Sequence, residues 1–240
     1  MAFEHPDLMP QLVAKRAAEN AGSAALKHVD GSVLTWSDAY EDSLRWASAV
    51  ERLGVKAGQP VVTVFANSFD GFRSWQGCAW LGAIESPINT NYKGDWLRHV
   101  VNNTEGEVIL ADARYAQPLF DIADQLTFIK HVVVFGELEE APESLPFKVI
   151  SSEEFLEGEA ADERPEPAPW DVSSLIYTSG TTGRSKAVMV PWGHIKSSLE
   201  SGLFPHDWLD GMRTYSPFPV FHITGKAGFY YAAAHGGASV

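Results

Sequence analysis

The chain has 240 residues, of which 45% are hydrophobic and eight are tryptophan, enough for one large core or two small ones. Its formal net charge of −13 at pH 7 argues against a nucleic-acid or anionic-membrane partner. A single cysteine, Cys78, excludes an internal disulfide and fits a reducing compartment, so a cytoplasmic location is expected.

Met1-Ala2-Phe3-Glu4-His5-Pro6 has no basic region followed by an apolar run, so no secretory leader is expected. No uncharged apolar stretch approaches membrane-spanning length. Residues 8–21 read as a surface helix. Thr35, with Asp38 three residues on, has the form of a helix start. Trp36, Tyr40, Leu44, Ala47, Val50 and Leu53 then recur at helical spacing up to Gly54, a C-terminal cap. Residues 61–65 read as a buried strand and 69–81 as a helix, on which Cys78 is a small buried residue and not a nucleophile. Ser86-Pro87-Ile88-Asn89 begins a loop, and Gly94-Asp95 opens a helix through Val101. Strands at 108–111 and 131–135 bracket a helix at 119–126. This alternation predicts an α/β fold of mostly parallel β-sheets with flanking helices.

The stretch 158–169 is acidic and proline-rich. It reads as a linker, dividing the chain into an α/β subdomain at 1–157, a linker at 158–170 and the start of a second α/β subdomain at 171–240. Beyond it, 174–177 and 187–190 read as strands, 191–203 as a helix, 214 as a strand end and 225–234 as an apolar helix. Residues 236–240 read as a turn entering another strand, so the chain is expected to be part of a longer protein.

The two strands at 174–177 and 187–190 enclose Thr178-Ser179-Gly180-Thr181-Thr182-Gly183-Arg184-Ser185-Lys186. Gly180 and Gly183 permit positive φ and close backbone approach to a ligand. Successive N–H groups in such a turn make an anion-binding concavity. The hydroxyls add donors, and Lys186 adds a mobile positive charge. The chemistry suits a polyphosphate. The pattern is not G-x-x-x-x-G-K-[ST] opening a helix, which disfavours an ordinary P-loop kinase or ATPase.

Tyr177 to Lys186 resembles the phosphate-binding signature of the adenylate-forming (AMP-binding) superfamily, approximately [YF]-T-S-G-[ST]-T-G-x-P-K-G. Ser185 stands where proline is usual and Ala187 where glycine is usual, changes that touch loop rigidity and not the phosphate donors. Three further segments resemble the family in order: Leu34-Thr35-Trp36-Ser37-Asp38, Leu81-Gly82-Ala83-Ile84-Glu85-Ser86-Pro87-Ile88-Asn89, and Pro217-Phe218-Pro219-Val220-Phe221-His222-Ile223-Thr224-Gly225. Together they cover about residues 30 to 240. The run 89–99 is most similar to the acyl-CoA ligase branch with carnitine/crotonobetaine-type enzymes.

The resemblance implies the first part of the large N-terminal domain of an acyl-CoA synthetase. It implies a ligase of fatty acid metabolism type that joins a carboxylic acid to coenzyme A through an acyl-adenylate, using ATP and Mg2+. It assigns catalytic roles to Lys186 and His222. Phosphate contacts fall to Thr178, Ser179, Gly180, Thr181, Thr182, Gly183 and Lys186, and a metal contact to Thr178. Phe221 and Phe229-Tyr230-Tyr231 either wall an acyl pocket or belong to the core. It leaves room for a homodimer of the full-length protein. Family segments for adenine, ribose and the C-terminal domain follow the matched region, so residues 1–240 alone are expected to be inactive. Two alternatives stay open: a truncated module that binds nucleotide or a partner without chemistry, and an adenylation enzyme loading a carrier-protein thiol.

Overall fold

The computed structural model describes residues 7–138, 142–160, 164–178, 184–200 and 211–240, with backbone only at 198–200. Its largest element is a seven-stranded sheet built from β3 (Pro60–Val64), β4 (Ile84–Pro87), β5 (Val108–Asp112), β6 (His131–Phe135), β7 (Lys148–Ser151), β8 (Val172–Thr178) and β9 (Lys186–Pro191). The spatial order is β7-β6-β5-β3-β4-β8-β9, parallel throughout except for β9, which runs antiparallel to β8.

The sequences of β3, β5 and β6 are near-continuous apolar runs because both faces of the sheet are covered there. Val61, Phe65, Val108, Leu110, Val133 and Phe135 enter one core with α2 (Trp36–Arg52) and α3 (Phe69–Leu81). The alternate positions Val62, Val64, Ile109, Ala111, Val132 and Val134 enter a second core with α4 (Gly94–Thr104) and α5 (Ala116–Phe120). The period-2 alternation of side chains along each strand therefore feeds two cores at once.

A second, four-stranded sheet has the order β10-β11-β1-β2, from β1 (Ala24–Lys27), β2 (Val33–Thr35), β10 (Arg213–Thr214) and β11 (Ala238–Ser239). A third core joins this region to α1 (Met9–Asn20), α7 (Trp192–Glu200) and α8 (Ile223–His235), with Trp36, Trp75 and Tyr230 fully buried in it. Strands on both sides of 158–170 share each sheet: β8 pairs with β4, and β11 pairs with β1.

Local signals act as the sequence suggests. Thr35 caps α2 by accepting from the Asp38 N–H at 3.1 Å, while Asp38 reaches back to the Thr35 N–H. Gly54, at φ 90°, lies just past the end of α2. Three expectations shift. The loop expected to begin at Ser86 begins later, because Ser86 and Pro87 end the strand β4 (Ile84–Pro87). The helix expected at 119–126 is α5, followed by a short 3-10 turn at Ala123–Gln125. The apolar helix expected at 225–234 starts earlier, at Ile223. The short β1, β7 and α6 (Ser152–Leu156) carry too little periodicity to be read from sequence.

Candidate active site

Thr178 and Lys186 are cross-strand partners on the last rung of the β8–β9 hairpin, and both are exposed. Ser179, Gly180, Thr181, Thr182 and Gly183 lie between them, outside the described residues. The hairpin mouth therefore presents one hydroxyl and one ammonium side by side, the pair that the phosphate-binding reading requires at the ends of its loop.

Two side chains of α4 and β8 hold this hairpin. His99 Nε2 donates to the Ser185 carbonyl oxygen at 2.9 Å, so its proton sits on Nε2. The Tyr177 hydroxyl donates to the Val100 carbonyl oxygen at 2.9 Å and lies 3.1 Å from Thr104 Oγ1. Thr104 Oγ1 in turn lies 2.9 Å from Ser86 Oγ on β4. Burial raises the Tyr177 phenol above its ordinary range, outweighing the opposing effect of the Thr104 hydrogen bond, and so keeps it a donor. Ser185, which replaces the usual proline, is buried, and its backbone is the His99 anchor point. Sequence reasoning assigned no role to His99 or Tyr177.

The His222 segment arrives from the other side. Asn67, just after β3, donates from Nδ2 to the Phe218 carbonyl oxygen at 3.0 Å and accepts the Val220 N–H on Oδ1 at 2.9 Å. Its amide thus clamps 218–220 with both of its functions. β8 and β3 both run parallel to β4, so Thr178 at the end of β8 and the residues that follow β3 lie at the same carboxyl edge of the sheet. In open parallel sheets that edge is where ligands bind. The topology therefore brings the Thr178–Lys186 end of the hairpin and the clamped segment to one edge.

His222 caps α8: its Nδ1 accepts the Thr224 N–H at 3.2 Å, and the side chain is exposed. With Nδ1 accepting, the neutral ring carries its proton on Nε2 and presents it outward. Gly225 is required here, because a Cβ would collide with the Pro219 carbonyl oxygen. The same helix lines a cavity of about 100 Å³ with Gly225, Lys226 and Phe229, opposite Phe72 and Trp75 of α3. An engineered apolar cavity of ~150 Å³ holds benzene, which sets the scale. Phe229 is buried, packs against Trp36 and Phe72, and also faces this cavity; Tyr230 belongs to the core.

Behind the cavity lies a group that the sequence reading did not single out. Lys226 Nζ donates to Glu85 Oε2 at 2.6 Å, with the two side chains 3% and 2% exposed. The ammonium also lies 4.3 Å from the centre of the Trp75 ring. Thr63 Oγ1 donates to Glu85 Oε1 at 3.2 Å, and Trp75 Nε1 donates to Ser173 Oγ at 3.0 Å. Burial pushes Glu85 up and Lys226 down, against the attraction of each for the other. Burial likewise pushes the Cys78 thiol up, which leaves it inert as a nucleophile.

Among the described residues there is no group of three or more His, Cys, Asp or Glu side chains able to hold a metal, and no helix is long and apolar enough to cross a membrane. Mg2+ at a nucleotide site keeps several waters and leans on substrate phosphates, needing few protein ligands. A single exposed hydroxyl, Thr178, fits that demand.

Comparison with known proteins gives a consistent result. The family described as AMP-binding enzyme matches residues 13–240. The chain is 24% identical over 233 residues to a 2-succinylbenzoate–CoA ligase of Oceanobacillus iheyensis, covering 95% of this chain and 43% of the ligase. It is 28% identical over 216 residues to a 3-methylmercaptopropionyl-CoA ligase of Ruegeria lacuscaerulensis, covering 86% of this chain and 39% of that enzyme. The chain thus spans less than half the length of these two relatives. Among solved structures, an anthranilate–CoA ligase in complex with anthranoyl-AMP superposes with a TM-score of 0.85 at 21% identity, over 98% of this chain and 45% of that one. A long-chain-fatty-acid–CoA ligase of Archaeoglobus fulgidus gives 0.82 at 20% identity, over 99% and 47%. At these identities the structures establish the shared fold.

Proposed function

The chain belongs to the AMP-binding enzyme family, and from that membership we propose that the full-length protein activates a carboxylic acid with ATP and passes the acyl group to the thiol of coenzyme A. In the first step a carboxylate oxygen attacks the α-phosphorus of ATP, forming an acyl-adenylate and releasing pyrophosphate. In the second, the thiol sulfur attacks the acyl carbon, AMP leaves, and the thiol proton goes to solvent. Support for the thiol being that of coenzyme A comes from the names of the two ligases above.

The single observation that carries the reading is the pairing of Thr178 with Lys186 at the mouth of a hairpin on the carboxyl edge of a parallel sheet. Two anions must meet in the first step, so the triphosphate has to be held and its charge offset. Lys186 supplies a positive charge for the β- and γ-phosphates, and Thr178 supplies a hydroxyl to the phosphate or its metal. Mg2+, when bound, would spread the charge of the leaving pyrophosphate. His222 presents Nε2–H outward from the cap of α8, where it can donate to the carboxylate or α-phosphate oxygen. The cavity beside the same helix takes the acyl group.

The experiment is acyl-CoA formation by the full-length protein with ATP, Mg2+, coenzyme A and a panel of carboxylic acids, followed by mass spectrometry. The expected result is a thioester with stoichiometric AMP. ATP turnover yielding ADP and phosphate contradicts the reading, since it breaks a different phosphate bond.

A further inference from the structure

A lysine and a glutamate withdrawn from water are costly, and a pair of apolar residues of similar volume commonly serves stability as well. The buried Lys226–Glu85 pair therefore calls for a use other than stability. Its partners point to one. Glu85 is the cross-strand partner of Ser174 on β8. Its Oε2 accepts from the Lys226 ammonium at 2.6 Å and from the Ser174 hydroxyl at 3.4 Å. Its Oε1 accepts from the Thr63 hydroxyl of β3 at 3.2 Å. One carboxylate on β4 thus joins β3 and β8 to α8.

Both ends of that joint carry candidate site residues. β8 ends at Thr178, four residues beyond Ser174. His222 caps α8 four residues before Lys226, about one helical turn away. The separation of the Thr178 hydroxyl from the His222 imidazole is therefore set by how α8 lies against β8.

The first turns of α8 have little else to fix them to the large sheet. Residues 225–228 are Gly-Lys-Ala-Gly, in which Lys226 has the only long side chain. Gly225 and Gly228 lie so close to Pro219 and Ser216 that a Cβ would collide. The Ser216 and Thr214 hydroxyls donate to the Gly225 and Gly228 carbonyl oxygens, yet both residues belong to the segment that leads into α8. Asn67, just after β3, holds 218–220. His222 thus lies between two anchors on the seven-stranded sheet, Asn67 before it and Lys226 after it. A charge-assisted hydrogen bond has a set length and direction, which apolar contact lacks.

We propose that Glu85 and Lys226 are positioning residues for adenylate formation: the pair fixes α8, with His222 at its cap, against β8, with Thr178 at its end. This rests on the proposed function in giving His222 and Thr178 roles in that step. Neither Glu85 nor Lys226 needs to touch the substrate.

The experiment compares the full-length protein with its Lys226→Met, Glu85→Leu variant, which keeps the volume but not the directed bond. The first readout is kcat and KM for carboxylate-dependent exchange of labelled pyrophosphate into ATP. The second is the distance between spin labels on Val188→Cys of β9 and Ala227→Cys of α8, read by electron paramagnetic resonance; Cys78 is buried and takes no label. The expected kcat is lower by about 10²-fold, the loss that a ~1 Å misplacement brings. KM should change less than about threefold, and the label distance should shift or broaden. In a His222→Ala background the same paired change should cost much less in kcat, because the residue it positions is gone. Equal losses in the two backgrounds overturn the inference. So does a wild-type kcat or an unchanged distance in the folded paired variant, and each of these leaves the proposed function standing. Absence of exchange in the wild type removes the proposed function, and the label distance then decides the inference by itself. Should the paired variant not fold, Ser174→Ala removes only the β8 end of the joint and is read in the same two ways. A loss of kcat of about fivefold at constant KM is expected there, and no change in either readout overturns the inference.

Discussion

Lys226 Nζ lies 2.6 Å from Glu85 Oε2, an ion pair that fastens α8 to β4, an interior strand of the seven-stranded sheet. Removing one partner leaves the other buried without its counter-charge. Lys226→Met should therefore cost ~3–5 kcal/mol, while the Lys226→Met, Glu85→Leu pair should cost far less. Urea unfolding of the three proteins checks this. A single variant as stable as wild type would show that the pair is not buried as described.

The pair also sets a pH response with a definite sign. Burial lowers Lys226 from its ordinary 10.5, and Glu85 counters that shift. In Glu85→Gln the countering charge is gone, and the folded state favours a neutral Lys226 more strongly. The unfolded chain then binds more protons than the folded one between the lowered value and 10.5, so stability rises with pH across that window. The stability deficit of Glu85→Gln relative to wild type should therefore narrow as pH rises towards 10.5. A widening deficit would contradict the assignment.

Lys186→Ala should reduce the adenylation rate by about 10²–10³-fold, the usual loss when one preorganised charge or donor is removed from a transition state. Thr178→Ala should reduce it less and should shift the Mg2+ concentration needed for half-maximal rate. Initial rates at saturating ATP, with Mg2+ varied, separate the two effects.

His99 on α4 and Tyr177 on β8 tie the hairpin to α4. His99→Ala should raise KM for ATP several-fold with a smaller change in kcat. Tyr177→Phe removes a partly buried hydrogen bond at a cost of ~1 kcal/mol. A fall in kcat at unchanged KM for His99→Ala would place His99 in the chemistry instead.

Gly225→Ala forces a methyl group onto the Pro219 carbonyl oxygen. The cost expected for overpacking against backbone is ~1–3 kcal/mol, and the His222 cap should be displaced with it. Circular dichroism melting reads the first effect. Loss of adenylation in the folded fraction reads the second.

Much of the fold could be read in the chain. Val61–Phe65, Val108–Ala111 and His131–Phe135 are apolar runs because both faces of the sheet are buried, and such runs stand out. The Thr35 cap and Gly54 stand out for the same local reason. β4 was hidden by the long-range event that permits it: Glu85 sits inside a sheet only because Lys226 arrives from 141 residues away. The hairpin on either side of 179–183 was legible from its glycines and hydroxyls. Its supports, His99 and Tyr177, were not, since one ring and one phenol carry no pattern until the fold sets α4 against β8.

The most direct test of the account is carboxylate-dependent exchange of labelled pyrophosphate into ATP by the full-length protein. The exchange reports the first step alone and does not depend on which thiol follows. The account predicts exchange that requires both a carboxylate and Mg2+ and that is lost in Lys186→Ala. Binding of ATP by the folded protein with no exchange for any acid in a broad panel would contradict it and leave a nucleotide-binding module without catalysis.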